Sequence, residues 1–165
     1  MILLDTNVLS ALMRRDLDRV VIAWLDAQPP ESIWTTAITV FEIRFGLGIL
    51  AKGRKRRALE EAFASALAED FDGRVMAFDR AAADAAAAIA ASQREAGRPV
   101  EIRDVQIAGI AAARKATLAT RNTRHFDATG IALVDPWSAE ARISSTGICP
   151  ELVGLDGDVH LVAVE

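Results

Sequence analysis

Short apolar segments alternate with helical patterns from Ile2 to Trp137, and this alternation restricts the fold more than any other feature of the chain. Five segments rich in aliphatic and β-branched residues are predicted to be strands: residues 2–4, 33–36, 75–78, 117–120 and 131–134. Between them, apolar residues recur at the spacing that is typical of amphipathic helices. Strands that alternate with helices predict an α/β fold with a parallel sheet.

Six helices are predicted between and after these strands. They cover residues 7–13, 20–25, 39–50, 59–71, 80–96 and 104–112. Asp79 is placed to be the N-cap of the alanine-rich fifth helix. Gly46 and Gly48 weaken the third helix, so we expect close packing or a bend at this point.

Composition restricts the class of protein. The chain has 165 residues, which is enough for one domain with a buried core, and its net charge of −4 argues against general nucleic-acid affinity without excluding a local basic groove. The single cysteine, Cys149, cannot form an internal disulfide, and no apolar run is long enough to span a membrane. We therefore expect a cytoplasmic protein.

The sequence changes character near its end. We predict one domain over residues 1–138 and a C-terminal tail over residues 139–165, to which the sequence assigns no role. Within the tail, residues 159–164 form a further strand candidate.

Three carboxylates stand where predicted strands end or predicted helices begin. Asp5 follows the first strand, Glu42 lies in the first turn of the third helix, and Asp104 begins the sixth helix. A parallel sheet binds ligands at the carboxyl ends of its strands and can gather all three residues there. Carboxylates so close together would repel and raise one another's pKa. A bound cation that prefers oxygen ligands, such as Mg²⁺ or Mn²⁺, would stabilise their ionised forms.

Two of these acids also have a structural explanation. Thr39 and Glu42 have the spacing of a capping box, with Ile38 and Ile43 as its hydrophobic staple, and Asp104 is well placed to be an N-cap. Spacing alone therefore leaves both interpretations open for Glu42 and Asp104. Asp5 directly follows a buried strand and has no routine structural role, so it is the stronger candidate.

Further polar residues surround the same predicted edge. Asn122 follows the fourth strand and is a candidate fourth member of the site, or a plain turn residue. Thr6 and Asn7 are candidates to orient Asp5, or to cap the helix that follows. Arg121 and Arg124 are candidate phosphate contacts, with a solvated loop as the alternative.

A basic run covers residues 52–57, and we interpret it as a solvated helix start or part of a partner surface. For Trp24, Trp34 and Trp137, core packing is the preferred role over base stacking.

Five stretches together resemble the PIN-domain ribonucleases, most closely the VapC and FitB type of toxin–antitoxin component. They are LLDTNVLSAL (3–12), AITVFEIRFGL (37–47), RDVQIAGIAA (103–112), LATRNTRHF (118–126) and LVDPW (133–137). They occur in the family's order and at its spacing, and they cover the chain to about Trp137. The tail extends beyond the usual end of the family.

This resemblance implies a three-layer α/β/α fold with a central, mainly parallel sheet of four to five strands. It also implies a magnesium-dependent endoribonuclease that binds Mg²⁺, or Mn²⁺, through Asp5, Glu42 and Asp104. Asn122 stands where many members carry a fourth acid, and that departure puts a second metal ion in doubt. The implied partners are RNA as substrate, a cognate antitoxin of the VapB or FitA kind, a second copy in a homodimer, and operator DNA contacted only through the antitoxin.

Two other functions are compatible with parts of the sequence. A catalytically idle PIN-like module could bind RNA or protein through the same pocket, and Asn122 keeps this alternative open. An aspartyl-nucleophile phosphatase also begins with a strand and an aspartate, but that chemistry requires an acid where Asn7 stands. We rank the phosphatase last.

Overall fold

A computed structural model describes residues 1–13 and 18–138. Five strands form one sheet in the order β3-β2-β1-β4-β5, and every neighbouring pair is parallel. The strands are β1 (Ile2–Leu4), β2 (Ile33–Thr36), β3 (Val75–Met76), β4 (Thr117–Ala119) and β5 (Ala132–Val134). The predicted α/β fold with a parallel sheet is confirmed.

Helices connect these strands. They are α1 (Thr6–Leu12), α2 (Arg19–Asp26), α3 (Ala37–Ile49), α4 (Arg54–Glu69), α5 (Arg80–Glu95), α6 (Ile102–Arg114) and the short α7 (Thr123–Phe126). Asp79 caps α5 as predicted, because its carboxylate accepts a hydrogen bond from the backbone N–H of Ala82 at 3.0 Å. The strand predicted over residues 159–164 lies outside the described residues.

The core has two parts, one on each face of the sheet. Alternate residues of β1 point to opposite faces, so Leu4 belongs to the part that contains residues of α1 to α4, and Leu3 to the part that contains residues of α5 and α6. Leu59 and Phe63 are only 2% and 4% exposed, so core packing accounts for the amphipathic pattern of α4. The three-layer arrangement is thus confirmed.

Helix α6 lies unusually close to α5. A Cβ atom at Gly109 would approach the carbonyl oxygen of Ala82 to 2.5 Å and the Cβ of Ala86 to 2.6 Å, so only glycine permits this approach. The alanine-rich face of α5 thereby fixes α6, and with it the position of Asp104.

The central strand sets the geometry of the carboxyl edge. Leu4 of β1 is in register with Thr35 of β2 on one side and with Ala119 of β4 on the other. The next residues along the chain, Asp5 and Thr120, therefore lie side by side where the strands end. In the part of the chain that the structure describes, no helix is long and apolar enough to cross a membrane.

Candidate active site

Asp5 is the centre of a hydrogen-bonded cluster at the carboxyl edge of the sheet. Asp5 is only 6% exposed, and its carboxylate accepts hydrogen bonds from the backbone N–H of Thr6 at 2.7 Å, the amide of Asn7 at 2.8 Å and the hydroxyl of Thr120 at 2.7 Å. The bond from Thr6 makes Asp5 the N-cap of α1. The expectation that Asp5 has no structural role was therefore wrong, because it ends β1 and begins α1 at once.

Burial leaves the charge of Asp5 poorly compensated. Desolvation raises the pKa of its carboxyl from 3.8 to about 6, although the bonds from Thr120 and Thr6 favour the ionised form. The negative charges of Glu42 and Asp104 raise this pKa further, which places both acids within electrostatic range of Asp5. A carboxylate in this state is stabilised by a bound cation.

Thr120 connects Asp5 to the loop after β4. Besides its bond to Asp5, the hydroxyl oxygen accepts hydrogen bonds from the side-chain amide of Asn7 and the backbone N–H of Asn122, both at 3.0 Å. Thr120 suits this role because it is in register beside Asp5, directly after a buried strand. Thr120 was not predicted as a site residue from the sequence. Its position directly after a strand that pairs with β1 could have identified it.

Glu42 is oriented by groups outside the sheet. The hydroxyl of Thr6 donates a hydrogen bond to one oxygen of Glu42, and the Nε of Arg103 lies 3.5 Å from the other. The predicted capping box was wrong: α3 begins earlier, at Ala37, with Thr36 as N-cap, and Thr36 accepts the bond from the N–H of Thr39 at 3.0 Å. Glu42 thus lies in the second turn and has no capping role, which removes its structural explanation.

Asp104 is paired with a histidine of α7, the short helix that follows β4. Its carboxylate lies 3.0 Å from the Nδ1 of His125, which is half exposed on α7. Helix α6 begins at Ile102 with Glu101 as N-cap, so the predicted start and N-cap at Asp104 were wrong. Asp104 lies in the first turn instead, where the helix dipole favours its charge. His125 was expected close to the pocket from its place after the fourth strand, whereas Arg103, which pairs with Glu42, was not singled out from the sequence.

The loop after β4 borders the cluster and contacts it through backbone N–H groups. Asn122 is exposed, and its contact with the cluster is the backbone bond to Thr120. The backbone N–H of Arg121 donates to the side-chain oxygen of Asn7 at 3.0 Å, and its guanidinium lies 5.2 Å from the ring centre of Trp137. Arg124 is exposed on α7.

The three carboxylates have the donor chemistry that a hard divalent ion requires, since all their ligand atoms are oxygens. Within residues 1–13 and 18–138, however, no three acidic, histidine or cysteine side chains are grouped closely enough to hold an ion as they stand. Glu42 and Asp104 are instead paired with Arg103 and His125. The donor set fits such an ion, provided that these two carboxylates turn from their present partners.

Replacing Thr120 with valine is expected to destabilise the protein by about 1–3 kcal/mol near pH 7, because the buried charge of Asp5 loses a donor. Urea unfolding should show a smaller loss near pH 4, where Asp5 is protonated. Thr129→Val is the matched control, since Thr129 donates to a carbonyl oxygen outside the cluster. An equal loss at both pH values would indicate a packing defect rather than support of the charge.

Three comparisons place the chain among known proteins. Residues 2–131 match the family model of the PIN domain. The chain is 38% identical over 137 residues to VapC ribonuclease Y4jK of Sinorhizobium fredii, covering 83% of this chain and 98% of the relative. It is 37% identical over 137 residues to Toxin FitB of Neisseria gonorrhoeae, covering 83% and 99%. The structure of FitAB bound to an IR36 DNA fragment matches with a TM-score of 0.79 at 37% identity, covering 86% of this chain and 99% of that one.

Proposed function

This chain belongs to the PIN-domain family, and from that premise we propose that it is a divalent-metal-dependent endoribonuclease acting as the toxin of a toxin–antitoxin pair. The observation that carries the proposal is the buried Asp5, whose pKa of about 6 is raised by burial and by the charges of Glu42 and Asp104. A bound cation would stabilise the ionised form of this buried carboxylate. The printed names of the relatives, a VapC ribonuclease and a toxin, support RNA as the substrate class.

Asp5, Glu42 and Asp104 would hold Mg²⁺ or Mn²⁺. When bound, the ion would lower the pKa of a water molecule and polarise the scissile phosphate. Thr120 and Asn7 hold the Asp5 carboxylate in place, and Thr6 holds Glu42. Either Glu42 or Asp104 would accept the proton of the attacking water. In-line attack on phosphorus would leave a 5′-phosphate and a 3′-hydroxyl.

Positive groups beside the acids would bind the RNA backbone. Arg121 is the stronger candidate, because its backbone is tied to Asn7 and its guanidinium lies over Trp137. Such anchoring reduces the conformational entropy that a side chain loses when it binds a phosphate. Arg124, exposed one short helix further on, would extend the contact.

The proposed protein partners follow from the same family assignment. A cognate antitoxin would cover the acidic pocket and inhibit it, and operator DNA would be contacted through the antitoxin. We place the nuclease domain at residues 1–138, and residues 139–165 stay without an assigned role.

A catalytically idle binding module is the second candidate. It is favoured by the pairing of Glu42 with Arg103 and of Asp104 with His125, which satisfies two of the three acids without a metal ion. Asn122, where many members carry an acid, points the same way.

RNA cleavage by the purified protein separates the two candidates. We expect cleavage with Mg²⁺, loss of cleavage on chelation, and recovery when Mg²⁺ or Mn²⁺ is restored, with 5′-phosphates at the new ends. A preparation carrying Asp79→Asn controls for the removal of a distant carboxylate. RNA binding without cleavage under all metal conditions would instead support the idle module, and cleavage that survives chelation would contradict the metal mechanism.

A further inference from the structure

Arg103 pairs with Glu42 across the carboxyl edge of the sheet. Helix α6, which carries Arg103, packs on one face of the sheet through Ile107, whereas α3, which carries Glu42, packs on the other face through Ile43. The contact between the two side chains therefore crosses the edge at which Asp5 lies. The Arg103 side chain is 33% exposed, so a ligand that reaches the acids from solvent can reach the guanidinium as well.

The stability of the domain does not account for this pair. Arg103 is the second residue of α6, in the first turn, where the helix dipole favours negative rather than positive charge. Its Nε lies 3.5 Å from the Oε1 of Glu42, which is longer than the roughly 2.7–2.9 Å of a charge-assisted hydrogen bond. A partly exposed ion pair at this distance contributes little to stability, and a cation that binds Glu42 more strongly can displace it.

The three carboxylates require more positive charge than one divalent ion supplies. When Asp5, Glu42 and Asp104 are all ionised, their negative charge exceeds that of one divalent cation by a single unit. A phosphate group brings a further negative charge, so a pocket that holds one ion would still repel the RNA backbone unless another cation stood beside it. Arg103 already contacts one of the acids and is accessible to solvent.

We infer that Arg103 is an exchangeable counter-ion: its guanidinium neutralises Glu42 in the metal-free protein, and it turns to a phosphate of the RNA when Glu42 binds an ion. This inference rests on the proposed nuclease function, because it assigns a substrate contact at the same site. A guanidinium suits the exchange, since it is weakly hydrated and its planar fork can bind two oxygens of one phosphate. Arg103 would therefore oppose binding of the ion and favour binding of the RNA, and these two effects can be measured separately.

Calorimetric titration of Mn²⁺ into the full-length, metal-free protein near pH 7.5 tests the first effect. We expect Arg103→Ala to bind Mn²⁺ about three- to tenfold more tightly than the wild type, because the ion no longer has to displace a cation from Glu42. Arg103→Lys keeps the positive charge and should bind Mn²⁺ as the wild type does. Arg80→Ala is the matched control, since Arg80 is also a first-turn arginine in a loose ion pair, 3.9 Å from Asp84 on α5. Its affinity for Mn²⁺ should be unchanged.

Fluorescence anisotropy of a labelled, mixed-sequence oligoribonucleotide tests the second effect. Ca²⁺ replaces Mg²⁺ in this experiment, and gel electrophoresis checks that the probe stays intact. For Arg103→Ala we expect weaker RNA binding and a plot of log affinity against log salt concentration that is shallower by about 0.7, the value for one phosphate contact on a single strand. Arg103→Lys should recover the slope but only part of the affinity, because an ammonium group lacks the planar fork. Arg80→Ala should bind RNA as the wild type does.

The two measurements together distinguish the exchange from other outcomes. Tighter Mn²⁺ binding combined with weaker RNA binding by Arg103→Ala supports it. A defect in folding would weaken both, and circular dichroism checks that the helices are kept. If Arg103→Ala binds Mn²⁺ no more tightly than the wild type, or RNA no more weakly, the inference is overturned and the nuclease proposal stands. A wild type that binds no Mn²⁺ would overturn the proposed function and the inference with it.

Discussion

We expect that replacing Asp5 with asparagine strongly lowers the rate of RNA cleavage and stabilises the metal-free protein near pH 7. The loss of cleavage follows because Asp5 is the buried member of the three acids and its charge would bind the ion directly. Loss of a metal-binding carboxylate removes several kcal/mol of transition-state stabilisation, so the rate should fall by about 10³-fold.

The gain in stability follows from the sign of the pKa shift. Since folding raises the pKa of Asp5 from 3.8 to about 6, the folded state binds the proton more tightly than the unfolded state. Stability is therefore lost as the pH rises through this interval, by up to about 3 kcal/mol above it. Asparagine carries no charge, but one of its side-chain atoms donates where Asp5 accepts, so a net gain of about 1–2 kcal/mol is expected.

Urea unfolding with and without chelator measures this gain. Asp79→Asn is the opposite control: hydrogen bonds from the Ala82 N–H and Arg114 lower the pKa of Asp79, so its ionised form stabilises the fold and its replacement should destabilise it. A metal-free Asp5→Asn protein that unfolds at lower urea than the wild type would contradict our account of Asp5. Unchanged cleavage would contradict its role in catalysis.

The architecture could be predicted from sequence because its signals are local. The strand at residues 33–36 and the Asp79 cap depend on neighbouring residues alone, and both agree with the structure. Helix starts could not be predicted in the same way. Thr36 and Thr39 are both acceptable N-caps, and the choice between them depends on where β2 stops pairing with β3. The sequence pattern therefore identified a capping box at Glu42 that the fold does not contain.

The partners of the acids could not be predicted for a different reason. Arg103 meets Glu42 and His125 meets Asp104 across separate elements, and such contacts depend on how α6 and α7 are placed relative to α3. Thr120 was accessible in principle, since strand register puts it beside Asp5. Its further hydrogen bonds, from the Asn7 amide and the Asn122 backbone N–H, depend on the conformation of the loop after β4, which the register does not determine.

Mg²⁺ should stabilise the protein by an amount that grows with pH. An ion binds the ionised form of Asp5, and a proton competes with it below the raised pKa of about 6. Near pH 7.5 the Asp5 carboxyl is ionised, so saturating Mg²⁺ should raise the melting temperature. About one unit below the pKa, Asp5 is ionised in only about a tenth of the molecules, and the effect of Mg²⁺ should largely disappear. Ca²⁺ is a useful comparison, because it also requires oxygen ligands but with longer bonds.

Calorimetric titration of Mn²⁺ into the metal-free protein tests the central claim most directly, namely that Asp5, Glu42 and Asp104 form a cation site. Our account predicts one saturable binding event near pH 7.5, at least about tenfold weaker near pH 5, and absent in Asp5→Asn. Asp79→Asn should bind as the wild type does. Absence of binding near pH 7.5, or binding that Asp5→Asn leaves unchanged, would contradict the account.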